Sequence, residues 1–168
     1  LEDLLKRSPN SYEMYEEQVK AILDNVKKRG DEALFEYTEK FDGFCLDQQS
    51  VLVNEEEIEE AYTQVDRGLI EIIRKALKNI ETYHEKQRQY SWFDSKPDGT
   101  ILGQKVTALD RVGVYVPGGK AAYPSSVLMN IVPAKTAGVR EIIMVTPPGK
   151  DGKVTPTTLV AAKEAGAK

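Results

Sequence analysis

Residues 111–138, RVGVYVPGGKAAYPSSVLMNIVPAKTAG, form the stretch of sequence that decides the fold. The stretch begins as an apolar strand, breaks at the PGG of residues 117–119, and continues as an apolar helix that ends at Gly138. A second apolar run, residues 141–146, follows at once. The order strand, glycine turn, helix and strand is typical of a parallel βαβ unit, so the sequence predicts an α/β fold. Ligands of such sheets usually bind at the carboxyl ends of the strands, where this turn lies.

The glycine turn matches no standard phosphate-binding motif. The glycine spacing of residues 113–119 is not G-x-G-x-x-G, and Ala121 stands after Lys120 where a P-loop needs Ser or Thr. Glycines still allow a ligand to approach the backbone closely, and the next helix offers a positive dipole end. From spacing alone, ligand binding and a plain tight connection are equally good interpretations.

Tyr115 is the residue nearest to this turn that can contact a ligand by its side chain. Its ring could pack on a flat ligand such as a nucleotide base, although the pattern alone favours simple strand packing. Ser125 or Ser126 is expected to cap the following helix. No candidate base lies near either serine in the sequence, so neither is predicted to be a nucleophile.

Apolar residues at helical spacing predict four helices before residue 90. The first covers about 11–29, and the others begin at caps formed by Asp31, by Asn54 with Glu57, and by Asp66. The tyrosines and phenylalanines of these helices are expected in the core. Residues 51–53 are expected to form a short strand, and the fourth helix to fade near residue 90.

The polar stretch 91–99 is the best candidate for a linker. It suggests a helical N-terminal segment, 1–95, and the start of a second domain, 96–168. Residues 101–109 are expected to be extended, Pro133 to kink or break its helix, and Thr155 with Pro156 to open a last helix. Both ends of the chain look cut, and another strand is expected after the last helix.

Composition excludes several classes of function. The chain has 168 residues and a net charge of −4, and it lacks the dense basic stripe of a nucleic-acid-binding protein. No apolar run approaches the roughly 20 residues that span a membrane. A single cysteine, Cys45, fits the reducing cytoplasm. With His84 as the only histidine, the chain cannot build an ordinary zinc site, and the glutamates of 55–60 are expected on a solvated helix face.

Three longer segments resemble the histidinol dehydrogenase family. They are ILDNVKKRGDEALFEYTEKFDG at 22–43, KNIETYHEKQ at 78–87, and above all VGVYVPGGKAAYPSSVLMNIVPAKTAGVREIIMVTPP at 112–148. The resemblance covers nearly all of the chain and is confined to the N-terminal portion of the family sequence.

The resemblance implies an enzyme that oxidises L-histidinol to L-histidine in two NAD-dependent steps, with zinc holding the substrate. It implies incomplete Rossmann-like domains related to aldehyde dehydrogenases, and a homodimer whose active site uses both subunits. The family's NAD-contacting tyrosine matches Tyr115. Pro117 is a weaker candidate for the cofactor site, and Phe41 is weaker still.

The family's zinc ligands and its catalytic glutamate–histidine pair have no matching positions in this chain. The resemblance therefore implies at most one edge of the NAD site, and it predicts that the 168 residues alone are inactive. Two alternatives stay open on the residues: a stand-alone nucleotide- or phosphate-binding module, and a non-catalytic assembly domain built on the acidic helical front.

Overall fold

The computed structural model describes residues 13–118 and 122–168. These residues form a mixed α/β structure with helices at both ends and two small sheets. In chain order its elements are α1 (Glu13–Arg29), α2 (Asp31–Asp42), α3 (Glu55–Gln64), α4 (Arg67–Glu85), β1 (Trp92–Ser95), β2 (Ile101–Gln104), β3 (Arg111–Tyr115), α5 (Pro124–Thr136), β4 (Glu141–Val145) and α6 (Pro156–Ala165).

Two helix starts follow the predicted capping chemistry. Asn54 and Glu57 form the predicted capping box, and the Asp66 side chain accepts from the Leu69 N–H at 3.2 Å. The predicted cap at Asp31 is wrong, because Asp31 is already the first helical residue and Gly30, with φ 61°, precedes it. Gly30 has a positive φ, which glycine adopts without steric cost, and it separates α1 from α2.

The predicted linker at 91–99 contains strand β1 and the turn of a β-hairpin. β1 pairs antiparallel with β2, from Trp92 opposite Gln104 to Ser95 opposite Ile101. The expected extension over 101–109 is therefore wrong beyond Gln104, and the expected strand at 51–53 is not formed. Val51 and Leu52 lie in bends and Val53 has no regular structure, so the two β-branched valines do not decide the local structure.

The predicted βαβ unit is confirmed. β3 and β4 are parallel and in register from Arg111 opposite Glu141 to Tyr115 opposite Val145, with α5 as the connection. The expected break at Pro133 is wrong, because α5 continues to Thr136. Proline removes one helical hydrogen bond to the carbonyl four residues earlier, here that of Met129, a residue on the exposed side of the helix.

The core lies between the helices and one face of the β3–β4 sheet. Val112 and Val114 of β3 and Met144 of β4 pack against it. The buried residues of this cluster come from helices α3–α6, from the residue that follows β3 and from β4. They are Ala61, Val65, Ile70, Ile73, Val116, Val127, Leu128, Ile131, Val132, Ile142, Leu159, Val160, Ala161, Ala162 and Ala165. The alternation along each strand leaves the other face of the sheet without this packing.

The chain divides between Leu52 and Val53 into two compact units. In the first unit, the Asn25 side chain donates to the Tyr37 hydroxyl at 3.0 Å, and the Tyr37 and Phe41 rings stack at 5.8 Å. The predicted core position is wrong for Tyr15, Phe41 and Tyr83, which are exposed.

In the helix pair α1–α2, Ala33 and Thr38 of α2 are buried, whereas residues 15–29 of α1 are exposed or half-buried. Tyr12 and the start of the first predicted helix lie outside the described residues. The predicted domain ranges, 1–95 and 96–168, stay a prediction. Within the described parts of the chain, every helix is too short or too polar to cross a membrane.

Candidate functional site at the carboxyl edge of the parallel sheet

The carboxyl ends of β3 and β4 lie side by side. Tyr115 is the register partner of Val145, and the Val116 N–H donates to the Val145 carbonyl at 2.9 Å. Val116 itself is fully buried, which anchors this end of the sheet in the core. By contrast, Tyr115 is 62% exposed and Val145 is 52% exposed. An aromatic ring and an aliphatic side chain thus meet solvent together at the end of the sheet.

Gly113, Tyr115 and Val145 share the sheet face that points away from the core. Gly113 has an ordinary φ, and no atom lies within 4 Å of the position that a Cβ would take there. Neither backbone strain nor crowding within the described residues requires a glycine at this place. A glycine inside a strand often marks a close approach by a ligand or another backbone.

Gly118 packs closely against the end of β4. A Cβ at this position would lie 2.9 Å from the Pro147 carbonyl oxygen and 3.0 Å from the Thr146 hydroxyl oxygen. The φ of Gly118 is not positive, so a left-handed backbone conformation does not explain why a glycine stands here. The reason is close contact between the two chain segments that leave the sheet.

The start of α5 completes this edge. Pro117 is exposed directly after the buried Val116. Helix α5 begins at Pro124, with Tyr123 as its N-cap residue and no side-chain cap. The predicted capping by Ser125 or Ser126 is therefore wrong; Pro124 is a favoured first residue of a helix because it needs no hydrogen-bond acceptor for an N–H. The rest of the glycine turn, residues 119–121, lies outside the described residues.

The amino edge of the same sheet is charged. Arg111 donates from Nε to a Glu141 carboxylate oxygen at 2.6 Å, and Arg140 pairs with Asp110. The hydrogen bond from Arg111 lowers the pKa of Glu141 below its usual range. These four side chains hold the strand starts together, and their charges are already matched with one another.

His84 lies toward this amino edge as well. It lines a cleft with Pro133, Thr136 and Ala137, at the end of α5 that leads into β4. Its ring packs edge-on against Tyr83 at 5.3 Å. Since α5 runs back from the carboxyl edge to the amino edge, His84 and Tyr115 are associated with opposite ends of the βαβ unit.

Three of the five glutamates of α3 have structural partners. Glu55 accepts from Lys163 at 2.8 Å, Glu60 accepts from Lys153 at 3.3 Å, and Glu57 closes the capping box. Among the residues that the structure describes, no group of three or more His, Cys, Asp or Glu side chains could hold a metal ion. The zinc that the family resemblance implies therefore does not fit this part of the chain.

Among its described residues, the carboxyl edge is suited to binding and carries no charged side chain for proton transfer. Residues 112–118 and 142–148 contain no charged side chain. The exposed Tyr115 and Val145 can contact a flat, uncharged ring, and Gly118 packs closely against Pro147 beside them. Phe41 belongs to the other compact unit, so its contact with a cofactor stays a prediction.

Sequence reasoning missed the contribution of β4 to this edge. In the sequence, the two prolines at 147 and 148 indicate only the end of the strand, and Val145 is simply one residue within it. The signal that could have found them is the equal length of the two apolar runs. In a parallel pair, such runs align end to end and bring Val145, Thr146 and Pro147 beside Tyr115 and the turn.

Comparison with known proteins places this geometry in context. A family model described as histidinol dehydrogenase matches residues 5–168. The chain is 57% identical over 165 residues to histidinol dehydrogenase of Bacillus subtilis (strain 168), covering 98% of this chain and 38% of that protein. It is 55% identical over 149 residues to the Heliobacterium mobile histidinol dehydrogenase, covering 89% of this chain and 35% of that protein.

A solved structure agrees with the fold. The crystal structure of histidinol dehydrogenase from Elizabethkingia anophelis superimposes with a TM-score of 0.85 at 31% sequence identity. The match covers 96% of this chain and 36% of that one. The chain thus spans somewhat more than a third of the length of the relatives that it matches.

Proposed function

This chain belongs to the histidinol dehydrogenase family, and we propose that it is the N-terminal part of an enzyme that oxidises L-histidinol to L-histidine with NAD. The observation that supports the proposal most directly is the match of residues 5–168 to the family, together with 57% identity to a named relative. The chain supplies one structural part of that enzyme, namely the helical front and the first βαβ unit.

Tyr115 and Pro117 are proposed to form one wall of the NAD site. Both are exposed at the carboxyl edge, where ligands of parallel sheets usually bind. NAD, when bound, supplies the acceptor for the hydride removed from the substrate. The Tyr115 ring would pack on a flat part of the bound dinucleotide, and the close contact of Gly118 with Pro147 would keep this wall in place.

The proton-transfer and zinc chemistry belongs to other parts of the enzyme. The described residues of the carboxyl edge carry no charged side chain, and Glu60, Glu55 and Glu57 of α3 are engaged by Lys153, by Lys163 and by the capping box. For this reason we expect the 168 residues to be inactive alone and to gain activity only within the longer protein.

The finer fold assignment is an incomplete Rossmann-like domain related to aldehyde dehydrogenases. The backbone at Lys168 supports it: the Lys168 N–H donates to the Ile142 carbonyl at 2.8 Å, and the Met144 N–H donates to the Lys168 carbonyl at 3.4 Å. These bonds follow the pattern of a further parallel strand on the side of β4 away from β3. We also propose that the enzyme is a homodimer and that it is cytoplasmic. The single cysteine, Cys45, is consistent with the reducing environment of the cytoplasm.

The test is NADH production from L-histidinol and NAD in the presence of zinc. The complete protein should produce NADH, and the 168-residue chain should not. Circular dichroism of both samples controls for folding. A folded complete protein that forms no NADH would contradict the proposed activity.

A stand-alone nucleotide-binding module is the second candidate, and the exposed, uncharged edge around Tyr115 favours it. Under this function the isolated chain binds a nucleotide without further protein. Titration of the folded chain with NAD and with ATP separates the two candidates. Saturable binding by the chain, combined with no activity in the complete protein, would favour the module.

A further inference from the structure

The end of β4 places a hydroxyl group directly beside the glycine turn. Thr146 follows the last residue of β4, and its Oγ lies 3.0 Å from the position that a Cβ of Gly118 would take. A side chain at residue 118 would therefore collide with this hydroxyl. Because the glycine leaves its backbone open, a ligand that approaches the turn at Gly118 also meets the Thr146 hydroxyl.

The Thr146 hydroxyl is not used by the fold. Thr146 is half-buried, and no hydrogen bond among the residues that the structure describes involves its side chain. Thr136, which is also half-buried but lies at the opposite end of the βαβ unit, instead donates to the Val132 carbonyl at 2.9 Å. A hydroxyl can donate one hydrogen bond and accept two, so the side chain of Thr146 has its full capacity available for a ligand.

Thr146 also stands at the place in the βαβ unit where dinucleotide-binding folds bind a ribose. In the Rossmann fold the glycine turn follows the first strand, and an Asp or Glu near the end of the second strand bonds to the 2′-hydroxyl of the adenosine ribose. Here β3 is the first strand and β4 the second, and residues 142–148 contain no carboxylate. Thr146 is the one residue of that segment with a polar side chain.

We propose that Thr146 binds the 2′-hydroxyl of the adenosine ribose of NAD. Neighbouring strands lie about 4.8 Å apart, so the Tyr115 ring and the Thr146 hydroxyl can contact the base and the ribose of one nucleoside. In this arrangement Tyr115 contacts the adenine and Thr146 accepts a hydrogen bond from the adjoining sugar. The inference rests on the proposed NAD site and adds a residue that determines how the cofactor is oriented.

Removal of the hydroxyl in the complete protein is the first test. Thr146→Val keeps the shape of the side chain and should raise the dissociation constant of NAD by about two- to twelvefold, as expected for one hydrogen bond. Thr146→Ser keeps the hydroxyl and should leave the constant within twofold of wild type. Thr136→Val is the matched control at the other end of α5 and should also leave it within twofold. Isothermal titration measures the four proteins, and thermal unfolding verifies that each is folded.

A cofactor analogue tests the contact with the ribose. NAD that lacks the 2′-hydroxyl of the adenosine ribose should bind wild type about two- to twelvefold more weakly than NAD does. In Thr146→Val the two cofactors should bind equally within twofold, because the protein partner of that hydroxyl is gone. A purely structural role of Thr146 would weaken both cofactors by the same factor and leave their ratio as in wild type.

Three results would overturn the proposal: unchanged NAD affinity in Thr146→Val, equal losses in Thr146→Val and Thr146→Ser, or the same preference between the two cofactors in wild type and Thr146→Val. A wild-type protein that binds no NAD would overturn both this proposal and the proposed function. A wild-type protein that binds NAD but forms no NADH from L-histidinol would contradict the proposed activity alone, since the binding data decide the role of Thr146.

Discussion

The two edges of the β3–β4 sheet are built from opposite chemistry. At the amino edge, Arg111 pairs with Glu141 and Arg140 pairs with Asp110. At the carboxyl edge, the exposed side chains are those of Tyr115, Pro117 and Val145, with no charged residue from 112 to 118 or from 142 to 148. The charged groups of the amino edge pair with one another, whereas the carboxyl edge exposes side chains that no described group covers.

This difference teaches where to look for function in a small parallel unit. Charged residues are often the first candidates for a functional site, yet those at the amino edge pair with one another and need no functional explanation. The uncharged edge has an exposed aromatic ring, and its backbone is held by the contact of Gly118 with Pro147. We therefore expect substitutions at the amino edge to alter stability only, and substitutions at the carboxyl edge to alter cofactor binding.

The largest expected effect comes from the core helix that supports both edges. Ile131 of α5 is fully buried, and Ile131→Ala should lower the free energy of unfolding by about 2–5 kcal/mol. Met129 on the same helix is exposed, and Met129→Ala should change the free energy of unfolding by less than about 0.5 kcal/mol. Urea unfolding compares the two. Equal losses would contradict the assignment of the buried side of α5.

Gly118→Val should have the next largest effect, because its Cβ would meet the Pro147 carbonyl oxygen. We expect a loss of about 1–3 kcal/mol in the free energy of unfolding, together with weaker NAD binding by the complete protein. Gly113→Ala is the control, since a Cβ there meets nothing within 4 Å. Thermal unfolding measures both. A Gly118→Val protein as stable as the control would show that the contact does not hold the edge.

The ion pair between two helices is more buried than the ion pairs at the amino edge of the sheet, and the pH dependence of stability should distinguish them. Glu164, with 16% of its side chain exposed, accepts from Arg74 at 2.8 Å and from the Tyr62 hydroxyl at 2.9 Å. Its hydrogen bonds to Arg74 hold the pKa of Glu164 below its usual range, while burial and then the bond to Glu164 raise the pKa of Tyr62 to about 12. Glu164→Gln should cost about 1–3 kcal/mol at pH 7.

The pH dependence has a definite sign. Because the folded-state pKa of Glu164 is lowered, its stabilisation is complete above the unfolded value of about 4.3 and is lost as the pH falls through the folded value. The stability difference between wild type and Glu164→Gln should therefore shrink below about pH 4. Melting temperatures from pH 7 to pH 3 measure it. Glu141→Gln, at the exposed amino edge, should show a smaller difference at every pH.

Local chemistry made much of the fold predictable. The capping box at Asn54, the cap at Asp66 and the order of the βαβ unit are written in short-range residue patterns, and the structure contains all three. Pro133 was misleading because a helix tolerates a missing hydrogen bond on its exposed side. The β1–β2 hairpin was missed because a polar stretch with Pro97 and Gly99 also describes its turn.

The candidate site was half predictable. Tyr115 and Pro117 follow from the position of the glycine turn and from the family resemblance, but their surroundings depend on strand register. The sequence does not state that Val145 is the neighbour of Tyr115, nor that Gly118 is required by contact rather than by φ. Both facts arise from packing between segments that are about 30 residues apart.

The most direct test of the central claim is the dissociation constant of NAD for two variants of the complete protein. Tyr115→Ala should raise it by about two- to twelvefold, as expected for the loss of one aromatic contact. Arg111→Ala, at the other end of the same strand, should leave it unchanged within twofold. Isothermal titration measures both. Unchanged NAD affinity in Tyr115→Ala, or equal weakening in the two variants, would contradict the assignment of the cofactor to the carboxyl edge.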